Sequence, residues 1–452
     1  MSPTVGTDPV TLAHFSDTHV AFHQYPAKSA VSGRNQREQD VARAFLGCLN
    51  DINERDPELV IHSGDVADRA YITHRQQHQI QMGFSSITKR KDGSPRMVVV
   101  ISGNHDMPSD PREPAHLNIA LGPLPSVAVV TKDYEMVDLA SYVDAGLAAE
   151  SLRNVVVHAL PHDKLRDMDW DLIQPLPGRI NILTSHGVVE GSTLYTRCRG
   201  REYAIPADLL ARGWDYVALG HWHKQGPVAV AGFTAATTPI WYAGSPENCG
   251  FSDLRDGTDS RGYLMVQVAA GKRPEVTPVS LPYRAMFRLP VVDATGKTHA
   301  ELTAELTAAV KKADLSGAVV DQRVMDVDRD LWSLVDVSAI RRVAGDALWF
   351  QLTPVFAIPP EAESGSPAVG GELSAVLRTT IADLFGTDKD ADAILTMTTT
   401  LLGDALTASA VDAEAAELAG SEQAAPEDAP EDGDGGTPED SGPRLEQAGV
   451  SA

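Results

Sequence analysis

Residues 58–68 read ELVIHSGDVAD, an apolar run that stops at Ser63 and Gly64 and leaves Asp65 and Asp68 in a loop. Four more apolar runs end in polar segments with the sequences SDTH (16–19), SGNHD (102–106), TSHG (184–187) and GHWH (220–223). Strands that are apolar throughout and alternate with helices predict a buried, largely parallel sheet. Because ligands bind beyond the carboxyl ends of such strands, we expect these ends to form one site.

The polar residues at these strand ends are oxygen and nitrogen donors. Carboxylate, amide and imidazole groups suit Mn, Fe or Zn, and a carboxylate can bridge two cations. Asp65 lies on the central run and is the expected bridge. The set contains no cysteine, which argues against a structural zinc site of the thiolate type. A single histidine at a strand end is usually an ordinary polar residue, but the segments together favour a metal centre.

The order of these motifs resembles that of the calcineurin-like metallophosphoesterases, over roughly residues 10–270. Two further stretches, residues 241–247 (WYAGSPE) and 261–266 (RGYLMV), resemble the closing strands of the SbcD-type nuclease subunit of a bacterial DNA-repair complex. Residues 34–40 (RNQREQD), which open a helix, are also similar to that group. The resemblance implies an α/β fold in which two sheets form a sandwich flanked by helices.

The resemblance also implies two divalent cations, with Mn²⁺ favoured and Fe, Zn or Mg as alternatives. The ligands expected at what we term the first metal position are Asp17, His19, Asp65 and His223. Those expected at the second metal position are Asp65, Asn104, His186 and His221.

The resemblance implies the role of His105, and two neighbouring carboxylates receive supporting roles. His105 is expected to protonate the leaving oxygen of a phosphodiester, and Asp106 to hold the His105 imidazole in the useful tautomer. Asp68 is expected to orient a ligating imidazole or to position the substrate. The candidate DNA contacts are Arg34, Arg37, Arg197 and Arg199.

The chain divides into four predicted segments. Residues 1–274 form the nuclease domain, and residues 275–358 form a small α/β unit where SbcD-type proteins carry a DNA-capping domain. Residues 359–409 contain a linker and two helical stretches. These helices either dock on a coiled-coil ATPase partner of the SbcC type or fold back on their own domain. Residues 410–452 read as a disordered acidic tail.

Charge and cysteine content limit the functions and the compartment that the sequence predicts. The formal net charge is −24, of which residues 410–452 hold −11 and the remainder −13. An acidic body weakens a nucleic-acid function, although bound cations would offset it locally. The cysteines Cys48, Cys198 and Cys249 cannot form a disulfide framework. With no signal-like N-terminus and no apolar run of about 20 residues, the sequence predicts a soluble, cytoplasmic protein.

The favoured function is a metal-dependent DNA exonuclease and single-strand endonuclease in DNA repair, with DNA and an ATPase as partners. Whether two copies form a homodimer is left open. The alternative is a small-molecule phosphoesterase acting on cyclic nucleotides or phosphomonoesters, which the acidic body favours and the additional domain opposes. A third class, a non-catalytic scaffold, is opposed by the complete set of ligand residues.

Overall fold

The computed structural model describes residues 9–29, 31–110, 112–192, 203–228, 239–254 and 260–357. The strands are β1 Val10–Phe15, β2 Leu59–Ser63, β3 Met97–Ile101, β4 Val127–Val130, β5 Glu135–Asp138, β6 Val155–Leu160, β7 Ile180–His186, β8 Val188–Val189, β9 Ala204–Ile205, β10 Tyr216–Gly220, β11 Gly226–Pro227, β12 Ile240–Tyr242, β13 Gly262–Val268, β14 Glu275–Ser280, β15 Met286–Arg288, β16 Val292–Asp293, β17 Val319–Val327 and β18 Trp349–Phe356. The α-helices are α1 Gln36–Arg55, α2 His74–Ser86, α3 His116–Leu121, α4 Leu139–Asp144, α5 Ala207–Leu210, α6 His299–Lys312, α7 Arg329–Ser333 and α8 Val337–Val343. Short 3-10 helices cover Glu150–Asn154, His162–Arg166, Trp170–Leu172 and Phe251–Leu254.

Two six-stranded sheets form the sandwich. The first has the order β14-β13-β1-β2-β3-β4, in which β1 to β4 are parallel and β13 and β14 are antiparallel to their neighbours. The second has the order β11-β12-β10-β7-β6-β5, with antiparallel strands at both edges. Apolar side chains of both sheets share one core, with Leu12 and Ile61 from the first and Val157 and Ile182 from the second. The predicted α/β sandwich is confirmed.

The apolar spacing of residues 36–55 predicts one helix, and α1 has these bounds because local signals define both of its ends. The Asn35 side chain accepts a hydrogen bond from the Glu38 backbone N–H at its start, and Asp56 adopts a left-handed conformation (φ 55°) after its end. Its apolar face, including Phe45 and Leu49, packs against the outer face of the first sheet. The sheet is therefore covered on both faces, which explains why its strands are apolar throughout.

The small α/β unit differs from its prediction in two ways. Strand β14 pairs with β13 along its whole length, so it completes the first sheet. The predicted boundary at residue 274 is therefore wrong by one strand, and the small unit begins after Ser280. In its four-stranded sheet, β15, β16 and β18 each pair in parallel with β17. Helix α6 packs on this sheet through Leu302 and Leu306. The sequence of residues 332–343 predicts one helix, but the structure divides this part of the chain between α7 and α8.

Several predicted features lie outside the described residues: Arg197, Arg199, the segment 359–409 and the acidic tail 410–452. Within the described part of the chain, no helix combines the length and the apolar character that crossing a bilayer would need.

Candidate metal centre

The carboxyl ends of β1, β2 and β3 in the first sheet meet those of β7 and β10 in the second. All predicted ligand residues lie at these ends or directly after them. They fall into two groups of facing donor atoms, as the distances below show. The tertiary fold thus brings together the residues that the motifs singled out, although their assignment as ligands remains a prediction.

The first metal position is formed around two facing imidazoles. The Nε2 atoms of His19 and His223 lie 3.0 Å apart. Asp65 Oδ2 is 3.7 Å from His19 Nε2, and Asp17 Oδ1 is 3.9 Å from His223 Nε2. Donor atoms bound about 2 Å from one cation are separated by about 3 to 4 Å. This group therefore fits a single metal ion.

The second metal position shares Asp65 with the first. Asn104 Oδ1 lies 3.0 Å from His186 Nε2 and 3.2 Å from His221 Nδ1. Asp65 Oδ2 is 3.4 Å from His186 Nε2. One oxygen of Asp65 thus lies close to ligand nitrogens of both groups, which is the arrangement expected of a bridging carboxylate.

Hydrogen bonds behind the imidazoles determine which nitrogens face the centre. Nδ1 of His186 lies 2.8 Å from the Ser63 carbonyl oxygen and can donate only in that direction. A neutral His186 then presents the Nε2 lone pair to Asn104 Oδ1, which is also an acceptor. A cation or a proton must lie between two such acceptors, so the donor set fits a metal.

Several predicted ligand residues have positive φ angles, which residues other than glycine rarely adopt. Asp17, His19, Asp65 and His221 have φ values of 51°, 42°, 55° and 99°. These loops are held by one another: Asp17 N donates to Gly64 O at 3.0 Å, and His221 N donates to Asp17 Oδ1 at 3.0 Å. Such strain persists at functional sites when the surrounding structure enforces it.

Glycine is required next to the shared carboxylate. A Cβ atom built on Gly103 would collide with the Asp65 side chain and backbone. At Gly64, which has φ of 91°, a Cβ would lie 2.5 Å from His186 Nδ1. The glycines before Asp65 and Asn104 therefore permit the close approach of the two loops.

Electrostatics in the metal-free protein favour protons at the ligand positions. Burial opposes a charge on His186 and His223, but Asp65 beside the first and Asp253 beside the second outweigh it and raise the pKa of each imidazole to about 9. Burial likewise acts against the charge on Asp65, yet His186 and His19 hold the pKa of this carboxyl well below its usual value. The site is thus built to hold positive charge.

His105 lies exposed at the edge of the centre. Its Nδ1–H donates to the backbone carbonyl of Asp68 at 2.7 Å, which leaves Nε2 available to a substrate. The Asp68 carboxylate lies 3.6 Å from His19 Nδ1. Asp68 thus contacts one predicted ligand and the predicted proton donor, and its positioning role stays a prediction.

Asp106 has a different role from the one predicted. Its buried carboxylate accepts hydrogen bonds from the backbone N–H groups of Val66 (3.1 Å), Ala67 (3.0 Å) and Gly103 (2.9 Å). Asp106 therefore joins the loops after β2 and β3, and the tautomer of His105 is set by the Asp68 carbonyl instead. The prediction that Asp106 holds the His105 ring is wrong.

Arg34 and Arg37, the two candidate DNA contacts within the described residues, differ in exposure. Arg34 is exposed, whereas Arg37 is completely buried and cannot reach a nucleic acid. Its guanidinium pairs with Asp40 at 3.0 Å and with Glu247 at 3.1 Å. The spacing of Arg37 and Asp40 on one helical face was a sequence signal for this pairing, but Glu247 is far away in sequence. Arg37 is thus a structural residue.

Sequence reasoning missed Asp253 and Cys249. Asp253 lies in the 3-10 turn Phe251–Leu254, and its Oδ2 lies 3.1 Å from His223 Nδ1 and accepts from Cys249 N at 2.9 Å. A hydrogen-bonded carboxylate of this kind orients a ligating imidazole. Neither residue belongs to a motif, and no local pattern distinguished them.

Comparison with protein families decides the identity of the domain. Residues 10–225 match the family described as calcineurin-like phosphoesterase. The chain contains a calcineurin-like phosphoesterase domain. The match confirms the predicted superfamily, and the matched residues include those of the candidate metal centre up to His223. Calcineurin-like phosphoesterases bind two divalent metals, and the two donor groups of this domain agree with that number.

The domain is also similar to curated proteins named DNA double-strand break repair protein Mre11. The chain is 24% identical to the Haloferax volcanii protein over 320 residues, covering 68% of this chain and 59% of the relative. It is 23% identical to the Thermoplasma acidophilum protein over 258 residues, covering 56% and 58%. A 95-residue stretch is 30% identical to the Methanococcus maripaludis protein, covering 21% and 23%. Each match spans less than two thirds of the relative.

Proposed function

We propose that this protein is a two-metal phosphodiesterase that cleaves DNA during repair, as an exonuclease with single-strand endonuclease activity. The observation that carries the chemistry is the pair of donor groups that share Asp65, with His105 at their edge. The similarity to Mre11 proteins supports DNA as the substrate. At 320 residues it extends beyond the stretch 10–225 that matches the phosphoesterase family.

The metal chemistry is supplied by the cofactor. Two divalent cations, for which we propose Mn²⁺, would contribute Lewis acidity and an activated water at this site. The side chains proposed to hold them are Asp17, His19, Asp65, Asn104, His186, His221 and His223. The protein adds a fixed arrangement, because the carbonyl of Ser63 and the carboxylate of Asp253 aim the ring nitrogens of His186 and His223 at the centre.

His105 is proposed to give a proton to the leaving oxygen. With Nδ1–H bound to the Asp68 carbonyl, the imidazolium form presents Nε2–H to the substrate. The ring lies next to the first metal position, since its centroid is 5.0 Å from that of His19. A phosphodiester bound at the metals would thus have its leaving group near this proton.

The proposed partners are DNA, a coiled-coil ATPase of the SbcC type and a second copy of the chain, and the proposed location is the cytoplasm. Arg34 is exposed and remains a candidate DNA contact. Arg197 and Arg199, outside the described residues, remain candidates from sequence. The acidic body, with a net charge of −13, favours the second candidate function, a small-molecule phosphoesterase.

The experiment sets end-labelled single- and double-stranded DNA against a cyclic nucleotide and a chromogenic phosphodiester, all with Mn²⁺. We expect DNA shortening that Asp65→Ala abolishes and that Asp133→Ala, a change at an exposed carboxylate, leaves intact. Turnover of the small substrates with intact DNA would transfer the function to the second candidate. No turnover of any substrate by the metal-loaded protein would contradict both.

A further inference from the structure

The thiol of Cys249 lies against the first metal position. Its Sγ is within 4.8 Å of a ring nitrogen of His19 and of His223. These are the two imidazoles whose Nε2 atoms face each other at 3.0 Å. Cys249 is a free, partly buried cysteine, so its sulfur is not committed to a disulfide. The fold thus adds a sulfur atom to a site whose motifs contain none.

The surroundings of Cys249 hold its backbone firmly and its sulfur weakly. The backbone N–H donates to Asp253 Oδ2 at 2.9 Å, the same oxygen that lies 3.1 Å from His223 Nδ1. One carboxylate therefore ties the cysteine backbone to the ligating imidazole. Among the described residues, the sulfur has long hydrogen-bond contacts, 4.0 Å to Ser245 Oγ and 3.9 Å to Glu247 O.

The distances suit a metal that binds sulfur and nitrogen together. In a tetrahedral zinc site, with Zn–S of about 2.3 Å and Zn–N of about 2.0 Å, sulfur and nitrogen lie about 3.5 Å apart. The Cys249 sulfur is at most about 1.3 Å farther from a nitrogen of each ring, a distance on the scale that a change of side-chain rotamer moves an atom. His19, His223 and Cys249 would then offer two nitrogens and one sulfur to one ion.

We propose that Cys249 is an additional donor at the first metal position and makes it accept thiophilic ions such as Zn²⁺, Co²⁺ or Cd²⁺. On binding, a sulfur–metal bond forms and the thiol proton leaves to solvent. The second metal position has only oxygen and nitrogen donors among its predicted ligands, so the two positions would differ in metal preference. This inference rests on the proposed metal centre but not on DNA as the substrate.

The test is titration of the metal-free protein with Co²⁺, followed by the thiolate-to-cobalt charge-transfer absorption. We expect the absorption in the unaltered protein and in the double variant Cys48→Ala/Cys198→Ser, which keeps only Cys249. The double variant is the control for cysteine replacement. Its Cys48 is buried in the core between α1 and the first sheet. Cys249→Ser should lose the absorption. Its absence from the unaltered protein, or its persistence in Cys249→Ser, would overturn the proposal.

A second measurement needs no variant and so does not depend on folding of a mutant. Alkylation of each cysteine by iodoacetamide is followed by mass spectrometry, with and without Zn²⁺ or Mg²⁺. We expect Zn²⁺ to slow alkylation of Cys249 by about tenfold or more, because a metal-bound thiolate is a poorer nucleophile, and Mg²⁺ to have little effect. Equal rates in both metals would contradict the proposal. Neither readout uses turnover, so a positive result without DNA cleavage would reject the proposed function alone.

Discussion

Asp253 Oδ2 lies 3.1 Å from His223 Nδ1, and this contact joins a turn that carries no motif to a predicted metal ligand. Because Nδ1–H donates to the carboxylate, His223 presents Nε2 toward His19 and Asp17. The same carboxylate also holds the backbone of Cys249 and Gly250. Asp253 therefore fixes both the tautomer and the position of one side of the first metal position.

Replacing Asp253 should weaken metal binding. Loss of a carboxylate that supports a ligating histidine typically costs 10- to 100-fold in metal affinity or activity. We expect Asp253→Ala to lower Mn²⁺ affinity in that range, measured by calorimetric titration, and Asp253→Asn, which keeps an acceptor, to lower it less. Asp133→Ala, at an exposed carboxylate, is the control. Unchanged affinity in Asp253→Ala would remove the positioning role.

His105→Ala should retain its metals yet lose most turnover. General acid catalysis by a positioned side chain contributes roughly 10²- to 10⁴-fold. We expect a loss of that size on DNA, whose leaving alkoxide needs a proton. The loss should be much smaller on a p-nitrophenyl phosphodiester, whose leaving group is stable as an anion. Metal content by elemental analysis should be unchanged. A similar loss on both substrates would point to a role other than proton donation.

The metal-free protein should lose stability as the pH rises from about 6.5 to 9. The pKa values of His186 and His223 are raised from 6.5 to about 9 in the folded chain, so their protonated rings stabilise it. This contribution is complete below the unfolded value and is lost as the pH passes through the folded value. Thermal unfolding with a chelator over pH 6 to 10 measures it. A metal-free protein that becomes more stable across this range would contradict the assignment.

The opposite trend is expected for metal affinity. Each of these imidazoles must lose its proton before it can bind a cation, so metal binding releases protons. Apparent Mn²⁺ affinity should therefore increase with pH up to about 9 and then level off. Calorimetry in buffers of different ionisation enthalpy counts the released protons. Binding without proton release at neutral pH would show that these rings are not ligands.

Arg37 should behave as a structural arginine, and Arg55 provides an exposed arginine for comparison. Arg37→Ala leaves Asp40 and Glu247 buried with one partner fewer, and breaking a buried pair costs about 3–5 kcal/mol in the free energy of unfolding. Arg55→Ala, which breaks an exposed pair with Asp51, should cost less than about 1 kcal/mol. Chemical denaturation measures both changes.

DNA binding should distinguish Arg34, which is exposed, from Arg37, which is buried. If Arg34 contacts a phosphate, Arg34→Ala should lower affinity and reduce the salt-dependence slope by about one. Arg37→Ala, studied where it remains folded, should leave that slope unchanged because its guanidinium is fully buried. Binding to catalytically inactive Asp65→Ala protein in a salt series provides the measurement. An unchanged slope in Arg34→Ala would remove this residue from the DNA contacts.

The features that the sequence predicted correctly depend on short-range patterns. The apolar runs ending in Asp, Asn or His defined the strands and the residues at their ends. The apolar face of Gln36–Arg55 predicted α1. A strand's end and a helix's face are local properties of a few residues, and parallel strands must present their carboxyl ends on one edge. The candidate centre could therefore be predicted before any contact was known.

The tertiary structure alone decided which distant residues complete and support the centre. Arg37 lies at the start of the predicted helix α1 but pairs with Glu247, 210 positions away. Asp253 and Cys249 reach the first metal position from a turn whose sequence has no regular pattern, and Glu275–Ser280 joins the first sheet by pairing with a neighbouring strand. Such contacts form only when the sheets and loops have packed together. The burial of a residue likewise depends on which other elements cover it. No local pattern encodes those partners, because the free energy that fixes them arises from the assembled fold.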